Sequence, residues 1–214
     1  MINQIANSRT PKTAVLILAA GNSSRLGKPK QLLGIGNTSL LLHTIEETLK
    51  LSCSVCVLVL GAYQERIRTQ LHLSDVTILD NATWETGMAS SIHLGLTWLI
   101  KNHDPDQVLV LLCDQPFINR TLMEQLITLK NSTKKGVIAA AYGDTLGVPV
   151  LFDKKYFPAL LALKGQEGAK KLVKRFAEDV GTISFPKGNI DIDTEADYEA
   201  YLKEDWSYFD EKKA

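Results

Sequence analysis

Apolar residues along this chain fall into two alternating patterns, short solid runs and longer stretches with helical spacing. The runs Thr13–Ala19, Val55–Leu60, Val76–Leu79, Val108–Leu112, Val137–Ala141, Val148–Phe152 and Thr182–Phe185 read as strands. Between them, Leu40–Leu51, Gln64–Leu71, Ala89–Asn102, Arg120–Lys130, Tyr156–Leu163, Gly168–Glu178 and Glu195–Glu204 carry the amphipathic spacing of helices. Leu109-Val110-Leu111-Leu112 is apolar at every position, which marks a strand covered on both faces, as in a parallel sheet between helix layers. The β-α-β-α order predicts an α/β fold with right-handed crossovers. No internal repeat or low-complexity linker interrupts it. We expect one domain over 13–204, a flexible segment over 1–12 and a loosely held tail over 205–214.

Composition narrows the classes without naming one. A length of 214 residues suits a single domain, and a hydrophobic share of 45% is ordinary for a packed core. Lys+Arg 24 balances Asp+Glu 24, so no global field draws in nucleic acid or an anionic membrane. Any anion binding must be local. No apolar run approaches the ~18 residues of a transmembrane helix, and Met1–Lys12 lacks the apolar region of a secretory leader. The expectation is a soluble cytoplasmic protein with neither a nucleic-acid nor a membrane partner. Cys53, Cys56 and Cys113 suit a reducing compartment. The C-x-x-C spacing of Cys53 and Cys56 invites a zinc or redox reading, but no second Cys or His pair supplies further ligands, so they read as structural thiols. His43, His72, His93 and His103 lack metal-ligand spacing and read as structural or surface residues.

The densest chemistry follows the first strand. Leu18-Ala19-Ala20-Gly21 opens into Asn22-Ser23-Ser24-Arg25-Leu26-Gly27-Lys28-Pro29-Lys30, a glycine-containing loop with three cations. Gly21 and Gly27 let backbone approach an anion. Loop N–H groups can cradle phosphate oxygens while Arg25, Lys28 and Lys30 offset their charge. The spacing is neither that of a Walker loop nor the dinucleotide fingerprint G-x-G-x-x-G. The alternative is an ordinary βα turn with solvated lysines.

Three further segments carry candidate residues. Asp114 stands at the carboxyl tip of the strand Val108–Leu112, where ligands bind in such sheets, and could hold a hard divalent cation. Its other possible role, capping the next helix, suits Asn119 better. In Asp191-Ile192-Asp193-Thr194-Glu195-Ala196-Asp197, Thr194 reads as a helix N-cap with Asp197 three residues on. Asp191 and Asp193 precede the cap and would share one face of an extended segment; Asp193 could complete a cation site with Asp114. In Asn81-Ala82-Thr83-Trp84-Glu85-Thr86-Gly87-Met88-Ala89-Ser90-Ser91, Gly87 can lie flat against a ligand ring and Asn81 has the donor and acceptor to read a base edge. A plain loop with serine capping is the alternative there.

Together these segments resemble the MobA-like nucleotidyltransferases, most closely the molybdenum cofactor cytidylyltransferase (MocA-type) branch. The motifs stand as L-A-A-G-N-S-S-R-L-G-K-P-K, N-A-T-W-E-T-G-M-A-S-S, L-L-C-D-Q-P, G-V-P-V-L-F and D-I-D-T-E-A-D-Y, and the likeness runs from about Thr13 to Tyr201. The resemblance implies a Rossmann-like three-layer α/β/α sandwich with a mostly parallel seven-stranded sheet. It implies that Leu18, Ala19, Ala20 and Gly21 meet the nucleobase and ribose, and that Arg25 and Lys30 bind the triphosphate, Lys30 at the α-phosphate. Asn81, Gly87 and Ser90 would line the base and ribose pocket, and Asp114 and Asp193 would hold Mg2+. Lys30, Arg25 and Asp114 are then the catalytic set. The Ala-Ala-Gly form looks like the cytidylyl branch, whereas guanylyl relatives typically read Ala-Gly-Gly.

The implied reaction moves CMP from CTP to the phosphate of a molybdopterin-type cofactor and releases pyrophosphate, with a molybdoenzyme or its chaperone as a further partner. Two departures lie in the acceptor half. Val148 stands where the family often has histidine, and Gln166 where it tends to have aspartate. Guanylyl transfer to molybdopterin, transfer to a sugar phosphate or other small phosphomonoester, and a non-catalytic module that delivers the molybdenum cofactor are the alternatives. A nicotinamide dehydrogenase is disfavoured by the missing fingerprint glycines.

Overall fold

The computed structural model describes residues 9–70 and 75–212. The flexible segment expected over 1–12 therefore falls mostly outside the described residues, as do Leu71 and His72. Where that segment is described, Arg9 and the backbone N–H of Lys12 both donate to the Asp106 carboxylate.

Strands β1 (Thr13–Ala19), β4 (Val55–Leu60), β5 (Thr77–Asp80), β6 (Gln107–Leu112), β7 (Val137–Tyr142), β8 (Thr145–Asp153) and β9 (Val180–Ser184) form one sheet. A separate hairpin joins β2 (Gly34–Ile35) and β3 (Thr38–Ser39). The seven strands lie in the order β5-β4-β1-β6-β8-β7-β9. Only β8 runs against its neighbours; β1, β4, β5 and β6 are mutually parallel, as are β7 and β9.

Helices α1 (Leu40–Leu49), α2 (Gln64–Gln70), α3 (Met88–Asn102), α4 (Arg120–Ser132), α5 (Phe157–Leu161), α6 (Ala169–Arg175), α7 (Glu195–Leu202) and α8 (Trp206–Glu211) complete the chain. Alternate residues of β1 feed opposite faces, as the pleat requires. Ala14, Leu16 and Leu18 pack with Ile92 and Leu96 of α3, Leu160 of α5 and Leu172 of α6. Val15, Ile17 and Ala19 pack with Ile45 of α1, Ile67 of α2 and Met123 of α4. The result is the Rossmann-like three-layer α/β/α sandwich, with all of β1 buried. Every expected strand is present within a few residues, and none of the helices is long and apolar enough to cross a membrane among the described residues.

Three features depart from the sequence reading. The strand expected at Val148–Phe152 begins earlier, at Thr145, because Gly143 (φ 52°) turns β7 back into β8 as a hairpin. Its register shifts between Ala139 and Ala140, where Pro149, which has no N–H to donate, sits opposite the irregularity. The loosely held tail is corrected over its described part: Trp206–Glu211 form α8, and Phe209 is fully buried against Ile190 and Ala200. Lastly, the β2–β3 hairpin has no counterpart among the expected strands; its two-residue strands are too short to show alternation.

The layout places one crevice. From β1 the chain travels outward to β4 and β5, then crosses back to β6 on the other side. The carboxyl ends of β1 and β6 therefore flank a topological switch point, where ligands bind in open α/β sheets.

Candidate active site

The loop after β1 is folded tightly by its own side chains. Ser23 takes a left-handed conformation (φ 50°), and its carbonyl accepts the N–H groups of Leu26 and Gly27 at 2.9 and 3.1 Å. The Ser23 hydroxyl accepts the Lys30 N–H at 3.1 Å. Beneath this turn lies Gln31, fully buried, whose amide donates to the carbonyls of Ala19 (2.8 Å) and Gly21 (3.0 Å). Sequence reasoning missed Gln31; its only signal was its place directly after Lys30.

Lys30 is thereby aimed into the crevice. Its Nζ donates to Asp114 at 2.9 Å and to Asp193 at 2.7 Å. The two carboxylates, 79 residues apart in the chain, thus meet at one nitrogen, with side-chain exposures of only 15% and 23%. The backbone joins them as well, because Ile192 N–H donates to the Asp114 carbonyl at 3.0 Å. Arg25 donates to the other oxygen of Asp193 at 2.7 Å from an exposed position outside the cleft. Asp191 takes a different neighbour: its charge, after burial, helps push the Tyr142 phenol up to about 12. Thr194 caps α7 in a reciprocal box with Asp197, and Asn119 caps α4, both as expected.

Burial works to lower the Lys30 ammonium, but the facing Asp114 and Asp193 charges outweigh it and hold the group well above its ordinary value. Burial likewise pushes Asp193 up, and the charge and hydrogen bond of Lys30, with Arg25 beyond, bring its net pKa below the usual range. Burial pushes the adjoining Cys113 thiol up to about 12, so it faces Lys30 as neutral sulfur. A raised lysine stabilises the fold at every pH below its unfolded value and loses that effect only as pH climbs through the folded one. A depressed carboxyl stabilises above its unfolded pKa and loses that effect as pH falls. The stability gap between the native chain and Asp193→Asn should therefore be constant above about pH 5 and close below about pH 4. Urea unfolding midpoints across that range read it; a gap that persists unchanged to pH 3 contradicts the ionic role.

The crevice encloses ≈ 450 Å³. One wall is Leu18, Ala19, Ala20, Gly21 and Asn22; the floor is Lys30, Gln31 and Leu112 to Asp114; the opposite wall is Trp84, Glu85, Gly87, Met88 and Ser91, with Gln166 at the rim. Of the expected ligand contacts, Leu18, Ala19, Ala20, Gly21, Lys30, Gly87 and Asp114 line it. Asn81 and Ser90 stand behind that lining rather than in it. Asn81 is buried, and its amide donates to Ser90 Oγ (2.8 Å) and Ser91 Oγ (2.9 Å) while its Oδ1 accepts from the N–H and the hydroxyl of Thr83, each at 3.0 Å. Both donors and both acceptor positions are used, so none is left to read a base. The two residues instead shape the turn that presents Gly87, whose carbonyl lies 2.8 Å from Ser90 Oγ. Trp84 and Met88, bulky members of that wall, were not expected as contacts.

Comparison with known proteins bears on the family and the fold. A family model described as "MobA-like NTP transferase domain" matches residues 15–180. The chain is 30% identical over 175 residues to nicotine blue oxidoreductase of Paenarthrobacter nicotinovorans, covering 77% of this chain and 83% of that protein. Among solved structures, Rv0371c of Mycobacterium tuberculosis H37Rv superposes with a TM-score of 0.76 at 27% identity, covering 90% of this chain and 98% of that one. A complex of Rv0371C with manganese superposes equally, TM-score 0.76 over 90% of this chain and 98% of that one, at 24% identity.

Proposed function

This chain belongs to the MobA-like NTP transferase family, and from that premise we propose that it transfers CMP from CTP to the phosphate of a molybdopterin-type acceptor. An acceptor phosphate oxygen attacks the α-phosphorus, the bond from that phosphorus to the bridging oxygen breaks, and pyrophosphate leaves. The acceptor oxygen is already ionised near neutral pH, so the reaction asks for alignment and charge stabilisation rather than a general base. The observation that carries this reading is the meeting of Lys30, Asp114 and Asp193 at the switch point, beside a glycine-bearing loop. No histidine lines the crevice.

Lys30 is a compact point charge with the reach to leave one carboxylate for a phosphate oxygen. Arg25, exposed beyond Asp193 and outside the cleft lining, has the reach to meet the outer phosphates. The donor set also fits a hard divalent cation: two half-buried carboxylates already converge on one positive charge, the Lys30 ammonium. We assign Mg2+ to Asp114 and Asp193; when bound it would screen the charge of the two approaching phosphates. Base contacts fall to the backbone of Leu18–Gly21 and to Gly87. A molybdoenzyme or its chaperone would receive the product, in a cytoplasm where the free thiols of Cys53, Cys56 and Cys113 suit reducing conditions.

The test is pyrophosphate release with each of the four nucleoside triphosphates, Mg2+ and a molybdopterin acceptor. Release with CTP alone is expected. Release with GTP reassigns the base, and release only with a sugar phosphate reassigns the acceptor. Nucleotide binding without release leaves a delivery module. One observation favours a second reading, reduction of an organic substrate by a nicotinamide: the 30% identical relative is named an oxidoreductase. Tight nicotinamide dinucleotide binding in calorimetry would support it over the first.

A further inference from the structure

Asp197 is fully buried, and both its oxygens are engaged on opposite sides. Its Oδ2 accepts the backbone N–H groups of Asp193 (3.0 Å) and Thr194 (2.8 Å). Its Oδ1 accepts the Tyr208 hydroxyl (3.1 Å) and the Lys212 ammonium (2.7 Å), which belong to α8 and the residue just beyond it. A capping box needs only the Thr194 bond. The second pair ties the Asp193 backbone to α8.

The same helix reaches behind Asp114. Trp206 packs edge-on against Phe117, three residues past Asp114, with ring centroids 5.2 Å apart. Phe209 is buried against Ile190, three residues before Asp193. Lys187 lies over both Phe117 and Trp206, at 4.1 and 5.0 Å from the ring centroids. Helix α8 therefore backs both strands of chain that deliver the paired carboxylates.

We propose that α8 is a clamp, in which Tyr208 and Lys212 are positioning residues that act through Asp197 to fix Asp193 in the cleft. Neither side chain hydrogen-bonds Lys30, Asp114 or the Asp193 carboxylate in the described bonds, and although the Lys212 charge also helps hold Asp193 below the usual range, only the Asp197 route reaches the Asp193 backbone that exchange reads. Outer partners of this kind commonly tune a charged site by about tenfold or more when removed.

The experiment compares the full chain with Tyr208→Phe/Lys212→Met and with Lys212→Arg, which keeps the charge. Two readouts are taken: hydrogen exchange over residues 190–195, and calorimetric affinity for CTP with Mg2+ without acceptor. In the double variant, exchange at Asp193 and Thr194 should quicken by about tenfold while the sheet keeps its protection. CTP affinity should fall by about fivefold or more, and Lys212→Arg should restore most of both. Unchanged exchange overturns the clamp, and so does faster exchange with unchanged CTP affinity. The affinity arm rests on the proposed nucleotide reading: if the native chain binds no CTP, that reading fails, and the exchange comparison alone decides the clamp.

Discussion

Lys30→Ala should lower turnover by about 10²- to 10³-fold, the scale seen when one preorganised positive partner of a transition-state oxyanion is removed. The fold should persist, because the sheet core around β1 and β6 does not involve the side chain. Stability should nevertheless fall, since Asp114 and Asp193 are left facing each other with little water to separate them. That loss carries a signature. Adding Mg2+ should raise the melting temperature of the variant more than that of the native chain, because the two carboxylates then lack a resident cation. Lys30→Arg should not restore turnover, as a planar fork does not replace a point charge between two carboxylates. Near-native rates in Lys30→Ala would remove the residue from the reaction; an equal Mg2+ response in both chains would remove the carboxylate pair from cation binding.

Gly87→Ala should cost at least about 3 kcal/mol and abolish tight nucleotide binding. Gly87 sits at φ 114°, ψ 177°, a region essentially reserved for glycine. A Cβ there would also strike the Gly165 carbonyl and come within 2.8 Å of the Gln166 nitrogen. Backbone cannot yield as a side-chain tip does. The Gly165 carbonyl accepts the Ala89 N–H at 3.1 Å, so displacing it unties the first turn of α3. Gln166 at the cleft rim moves with it. Urea unfolding and calorimetry with CTP check both halves; a stable Gly87→Ala chain that binds CTP normally would show that this wall is not built on close backbone contact.

What was legible in the sequence follows from how each signal arises. The strands of the sheet announce themselves because solid apolar runs are unusual outside doubly covered strands, and the end of such a run located Asp114. The cap at Thr194 was readable because a capping box is local. The inward turn of Asn81 was not legible, because an amide's four bonding positions show in its formula but not which way it faces, and here all are consumed by Thr83, Ser90 and Ser91. Gln31 looks like a solvent residue beside a lysine, yet it is fully buried and bound to two carbonyls. The burial of Phe209 depends on Ile190 and Ala200, which only the folded chain brings near. Long-range partners decide these cases, and no local pattern encodes them.

The border between β1 and β6 splits the sheet into two flanks that grow in opposite directions, β4 and β5 on one side and β8, β7 and β9 on the other. Inheritance can therefore act on them separately. Segments on the far flank, including the strand β8 position Val148 and the loop carrying Gln166, can be rewritten to admit a new co-substrate while the shared seam stays untouched. Descendants of one ancestor would then keep a common donor chemistry and diverge in what they modify.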